Sequence, residues 1–198
     1  MVACPRRSED QLVWASTKNG DFTIRSTYHI AYKSDRAEEG NFYNVHELKT
    51  AWKAIWRIKG SRMVKTFLWQ ACNNIMSTKE LLFKRRITPD FLCPICGLVA
   101  ESIDHILWSC PSTKDVWTEC PSKISKCMSD ETSFIHIITQ LVARVDEDEM
   151  QLLATIARLI WLGRNFIVLM GEMIGPATIV QRAKEQVEAW CQANQREP

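Results

Sequence analysis

Four residues within one short stretch have the types and spacing of a metal site. Cys93-Pro94-Ile95-Cys96-Gly97 is followed by His105 and then Cys110, giving C-x2-C-x8-H-x4-C. Two thiolates two residues apart can grip one ion from a turn, where Gly97 relieves the backbone, and a His and a Cys from a short following helix can close a tetrahedron. Three thiolates and one imidazole suit zinc and fill all four positions. No position is left for water, so the chemistry is structural and not catalytic. Cys120 and Cys127, in a polar stretch, are the alternative fourth ligand. Cys4, Cys72 and Cys191 read as a tail thiol and helix-face residues, and a RING-type double site fails for want of a second quartet.

The second constellation is basic. Residues 49–86 carry ten Lys/Arg against Glu80 alone, although the whole chain has a formal charge of only +2. Arg57, Lys59, Arg62 and Lys65 cluster at the junction of two predicted helices, and Lys84, Arg85 and Arg86 close a third just before the zinc turn. Such groups neutralise phosphates and release counterions. Trp69, Trp108 or Phe83 would stack on bases if exposed. The competing interpretation is a solvated helix face, with Trp52 and Trp56 in the core.

Catalytic signatures are missing. There is no Tyr-x-Asp-Asp to hold metal ions for phosphoryl transfer and no Gly-rich phosphate loop. The run Asp146-Glu147-Asp148-Glu149 falls at a predicted helix start, where the dipole favours negative charge. His29, His46 and His136 have no partner at catalytic spacing. The sequence is therefore expected to encode no enzyme and no small-molecule site.

The elements that must position these groups are mostly helical. Leu12–Ala15 and Phe22–Ile24 around Asn19-Gly20 predict a β-hairpin, with a short helix from Ser26. Asn44 and Glu47 form a capping-box pattern opening a helix that carries Leu48, Trp52, Ile55 and Trp56. A second helix over 61–76 places Val64, Leu68, Ala71, Cys72 and Ile75 on one stripe. Ser77-x-x-Glu80 predicts the cap of a third, ending before Pro89, and Ser112 the cap of a fourth, carrying Trp117. Helices over 132–145, 147–171 and 176–194 follow. The expected fold is mainly α with an N-terminal β-hairpin, and a small CCHC zinc-binding module packed on a helical domain. Its organisation is a zinc-binding domain over 10–118, a linker over 119–131 and a helical segment over 132–198.

Composition bounds the class. With 46% hydrophobic residues and seven each of Gly and Pro, the chain can bury a core and is neither fibrous nor disordered. Arg158, Arg164 and Glu172 interrupt the longest apolar run, so no membrane span is expected. Met1–Asp10 lacks the apolar centre of a signal peptide. Reduced thiols and an intracellular location, nucleus or cytoplasm, are the expectation.

The ordered motifs also resemble a known family. Gly20-Asp21-Phe22-Thr23-Ile24-Arg25-Ser26-Thr27-Tyr28 is similar to the opening of the zinc-binding region that follows reverse transcriptase in plant LINE-type non-LTR retrotransposons. The order continues through Trp52-x-x-Ile55-Trp56, Phe67-Leu68-Trp69 and Thr78-Lys79-Glu80-x-Leu82-Phe83-x-Arg85-Arg86-Ile87. It ends with the Cys93–Gly97 turn, Glu101, His105-Ile106-Leu107, Cys110 and Trp117, so that it spans about residues 10–117. Ser77 and Ser61-Arg62 depart from prolines usual in the family, without touching a ligand. The resemblance implies a non-catalytic zinc module assisting RNA or DNA binding by neighbouring reverse transcriptase and RNase H-like domains of a polyprotein, with residues 132–198 leading to the latter. The rival functions are a protein-interaction scaffold that uses the apolar C-terminal helices, or a degenerate retroelement fragment.

Overall fold

The computed structural model describes residues 45–120 and 133–194, together with 14–17, 19, 21, 23, 24 and 26; residues 45–48 are described as backbone only. The chain divides into two units, Met1–Asn44 and Val45–Pro198.

The first unit corrects the sequence-based expectation. Among the described residues there is no β-strand, and Ile24, expected in the second strand of the hairpin, is helical; Ser26, expected to open a short helix, is helical too. The local side chains explain it. The Ser26 amide donates to Thr23 Oγ1 at 3.1 Å, so Thr23 takes the role of a helix N-cap. Asn19 donates to the Asp21 carboxylate and Thr17 to the Asp21 carbonyl, both at 2.7 Å. Short polar side chains thus form local bonds that favour a turn and a helix start over strands. Trp14 Nε1 donates to Ser26 Oγ at 2.8 Å.

The second unit is built from seven α-helices among its described residues: α1 Val45–Arg57, α2 Arg62–Cys72, α3 Lys79–Lys84, α4 Pro111–Thr118, α5 Phe134–Val142, α6 Glu147–Met170 and α7 Pro176–Asn194. A π-helical turn, His105–Ser109, precedes α4. The Asn44 cap lies outside the described residues. The α2 stripe is buried at Val64, Leu68, Ala71 and Cys72. Ile75 falls beyond the helix end and is exposed, because Asn74 turns the chain at φ +55°. Thr78 caps α3, not Ser77: its hydroxyl accepts from the Leu81 amide. Likewise Cys110, not Ser112, is the N-cap residue of α4, with Pro111 in the first turn.

Residues from both halves of the sequence meet in one core. Helix α1 packs on α2 and α5, α2 on α5 and α6, and α6 on α7 and the π turn. Ile55, Leu68, Ile138, Leu141 and Ile156 are fully enclosed. The acidic run starts α6 as a capping box: Asp146 accepts from the Glu149 amide at 2.8 Å, and Glu149 from the Asp146 amide at 3.1 Å. Gly171, at φ +72°, ends it. By length and composition α6 could cross a membrane, yet more than half of its most apolar stretch is buried within the fold. Arg164 lies inside that stretch and is itself buried.

Candidate metal centre

The zinc turn is a tight loop closed by backbone bonds. The Cys93 amide donates to the Val99 carbonyl at 2.8 Å, the Gly97 amide to Cys93 at 2.9 Å and the Glu101 amide to Phe91 at 2.9 Å. Leu92 and Ala100 form an isolated antiparallel bridge. Gly97 sits at φ +66°, the left-handed conformation in which a Cβ is unfavourable.

His105 and Cys110 come from the other side. Five residues apart on a regular α-helix they would diverge by roughly 140°. The π turn removes that difference: the Cys110 amide donates to the His105 carbonyl at 2.8 Å, wrapping five residues into one wide turn. The carbonyls that this widening frees find side-chain donors, Thr113 Oγ1 on Ile106 at 2.7 Å and Trp117 Nε1 on Leu107 at 2.9 Å. The Trp117 ring packs at 5.4 Å from that of Trp108, and both are buried.

As a result the donor atoms of Cys93, Cys96, His105 and Cys110 all lie within 4.8 Å of one another. Thiolates at zinc–sulfur distances of about 2.3 Å in a tetrahedron would be about 3.7 Å apart. The quartet thus needs only a small contraction to hold one ion. His105 Nε2 lies 3.3 Å from Cys96 Sγ, and Ser109 Oγ lies 3.4 Å from Nδ1, where it can fix the ring orientation. The Cys93 thiol is pulled down to about 4, chiefly by its hydrogen bond with Cys110, and the Cys110 thiol is pushed far up by that bond and by burial. Binding a metal ion would displace the protons that these thiols hold.

Cys120 is not part of the cluster. Its thiol points to the Val116 carbonyl at 3.4 Å, and burial raises its pKa to about 11. Cys127 lies outside the described residues.

Residues 22–117 match the family described as zinc-binding in reverse transcriptase. This segment belongs to that family. Its cofactor is zinc, and the cluster can hold one ion. A relative from Arabidopsis thaliana named "Putative ribonuclease H protein" is 24% identical over 187 residues, covering 93% of this chain. The chain spans 28% of that relative's length. No solved structure matches the chain.

In this reverse-transcriptase zinc-binding segment, one group behind the metal site was not assigned a role from sequence. Glu101 is fully buried and accepts from Arg164 through both oxygens, Nε at 2.6 Å and a terminal guanidinium nitrogen at 2.5 Å. It also accepts from the Lys79 amide at 2.6 Å, at the start of α3. Arg164 stacks over Trp161 at 5.0 Å and donates to Asn165. One carboxylate thus ties the zinc turn, α3 and the middle of α6 together. The only available signal was an Arg inside an apolar run, which read as an interruption.

The basic residues are spread over two places. Arg57, Lys59, Arg62, Lys84, Arg85 and Arg86 are exposed, and Lys65 is half-buried. Lys59 pairs with Glu147 at 3.5 Å and Lys84 with Glu80 at 2.8 Å, while Lys65 Nζ donates to the Trp56 carbonyl across the α1–α2 corner. Arg57, Arg62, Arg85 and Arg86 have no carboxylate at ion-pair distance among the described residues. Of the aromatic candidates, Trp108 is buried and excluded from stacking, whereas Trp69 and Phe83 are partly exposed. Trp56, read as core, is about half exposed.

Proposed function

We propose that the chain is a non-catalytic module in which one zinc, held by Cys93, Cys96, His105 and Cys110, stiffens a surface that binds nucleic acid beside the other domains of a retroelement polyprotein. The observation that carries this reading is the set of four surface arginines, Arg57, Arg62, Arg85 and Arg86, left without carboxylates among the described residues of a chain of nearly neutral total charge. Uncompensated arginines repel one another unless solvent or a polyanion meets them. The zinc-binding family of residues 22–117 supports the same setting. The ribonuclease H activity in the relative's name is not carried over to this chain.

The test is a titration of zinc-loaded protein with RNA and DNA. Affinity should fall with salt by about 0.7–0.9 log unit per log unit of salt for each phosphate contacted. Replacing the four arginines with Ala should flatten that slope, with zinc content unchanged. Loss should be similar across sequences, because phosphate contacts read no base. Zinc-loaded protein that binds neither polymer at low salt ends the reading.

One observation favours a second role, docking on a protein. Leu162, Phe166, Leu169 and Met170 recur at i, i+4, i+7 and i+8 along α6 and are all exposed, as is Met173 beyond it. In that case self-association or dye binding would persist while nucleic-acid binding was absent.

A further inference from the structure

The end of α3 carries a residue in the wrong conformation for its type. Arg86 sits at φ +58°. It occupies the C′ position of a Schellman turn, with its amide on the Phe83 carbonyl at 2.8 Å and the Ile87 amide on Leu82 at 2.9 Å. Glycine is the usual residue there, because a Cβ is disfavoured in the left-handed region. The turn spends the helix's last carbonyls on backbone bonds, and the arginine side chain takes no carboxylate partner among the described residues. A residue in a disfavoured conformation whose charge has no ion-pair partner among the described residues is a pointer to function.

Its surroundings have the parts of a stacking platform. Phe83 and Phe91 meet edge to face, with ring centroids 5.1 Å apart, and remain 43% and 41% exposed. The loop holding Phe91 is fixed: Asp90 accepts from the Leu92 amide at 2.8 Å and from Lys79 at 2.7 Å, and the Phe91 carbonyl accepts from Glu101. The charge is one-sided. Between 79 and 101, Glu80 is matched by Lys84, Asp90 by Lys79 and Glu101 by Arg164, so Arg85 and Arg86 are the surplus.

We infer that Phe83, Phe91, Arg85 and Arg86 form a single-stranded nucleic-acid site, with bases stacked on the phenyl pair and the backbone phosphates on the two arginines. This deepens the nucleic-acid reading above and rests on it. Exposed aromatic faces beside uncompensated cations suit unpaired bases, since every base has a π-face while a duplex hides it.

The experiment is anisotropy titration of the zinc-loaded full chain with labelled single-stranded homopyrimidine and with a duplex of equal length. Wild type should prefer the single strand. Phe83→Leu and Phe91→Leu, which keep apolar volume, should each weaken single-strand binding roughly ten-fold while leaving duplex binding and zinc content unchanged. Arg86→Gly should weaken both polymers several-fold while the melting temperature stays the same or rises, an opposition that a purely structural arginine would not give. Equal binding of single strand and duplex, unaffected by the Leu substitutions, overturns the platform and leaves the nucleic-acid reading standing. Binding of neither polymer overturns both, and Leu variants that abolish self-association without any nucleic-acid binding would assign the patch to protein contact.

Discussion

The zinc turn and helix α6 reach their structures by opposite routes. Residues 91–110 bury few apolar side chains at the turn itself; Phe91, Leu92, Leu98 and Val99 are exposed. Their geometry is specified by four ligands, one left-handed glycine and a π turn, all within a short stretch. Helix α6 runs 24 residues, and its buried positions find partners on α2, α7 and the π turn. The Cys93–Gly97 turn leans on its ligands, whereas α6, together with the π turn packed on it, rests on apolar burial. Glu101 and Arg164, 63 positions apart, are where the two are tied. Losing the metal and losing core packing should therefore have separable consequences.

The largest effect should come from zinc. Structural zinc contributes on the order of 10 kcal/mol of folding free energy in small modules, so chelation or Cys93→Ser should open the 91–118 region. Hydrogen exchange should rise there and near-ultraviolet dichroism of the Trp108–Trp117 pair should collapse, while α6 and α7 keep protected amides. Equal loss of protection in both regions would show that the ion holds the whole core, and the contrast would fail.

Breaking the tie comes next. Arg164→Met alone should destabilise by about 3–5 kcal/mol, because Glu101 would be left charged in the interior. Adding Glu101→Leu should recover much of that loss. Urea denaturation of the two single variants and the double closes the cycle, and additive losses would mean the pair is not coupled.

A smaller effect should be seen inside the π turn. Trp117→Phe keeps the ring packing on Trp108 but strands the Leu107 carbonyl, at a cost of about 1–3 kcal/mol. Zinc affinity should drop with it, measured by competition with a chelator. Unchanged affinity would separate the turn from the metal site.

The smallest effect is local to α6. Gly171→Ala places a Cβ at φ +72°, costing about 1 kcal/mol. Thermal melting should show it, with zinc retention unaltered. A change in zinc content would reveal coupling along α6 that the contrast denies.

Legibility differed from region to region for physical reasons. Cys93 and Cys96 follow from spacing, since C-x2-C needs only a turn, whereas Cys110 was separated from Cys120 as fourth ligand only by the π turn that sets it beside His105. The start of α6 was readable from its acidic run, and the structure adds a capping box whose bonds join residues three apart. The starts of α3 and α4 were each misplaced, because Ser77 and Thr78, or Cys110 and Ser112, are comparable candidates locally. The hairpin was misread for the same reason: Asn-Gly and alternating apolar residues suggest strands, but Thr23 capping a helix uses the same stretch.

The sequence by itself determined Cys93, Cys96 and His105 as donors, the boundaries of the long helices α6 and α7 and the surplus of positive charge, because each depends on residues close together along the chain; the fold decided Cys110 over Cys120 as the fourth donor. Tertiary structure alone decided which groups are left over. Arg164 changed from an interruption to a buried anchor because Glu101 and the start of α3 converge on it. Trp108 was taken into the core beside Trp117, while Phe83 and Phe91 were left at the surface. Burial and charge pairing are properties of neighbours in space, and residues 63 positions apart become neighbours only when the chain has folded.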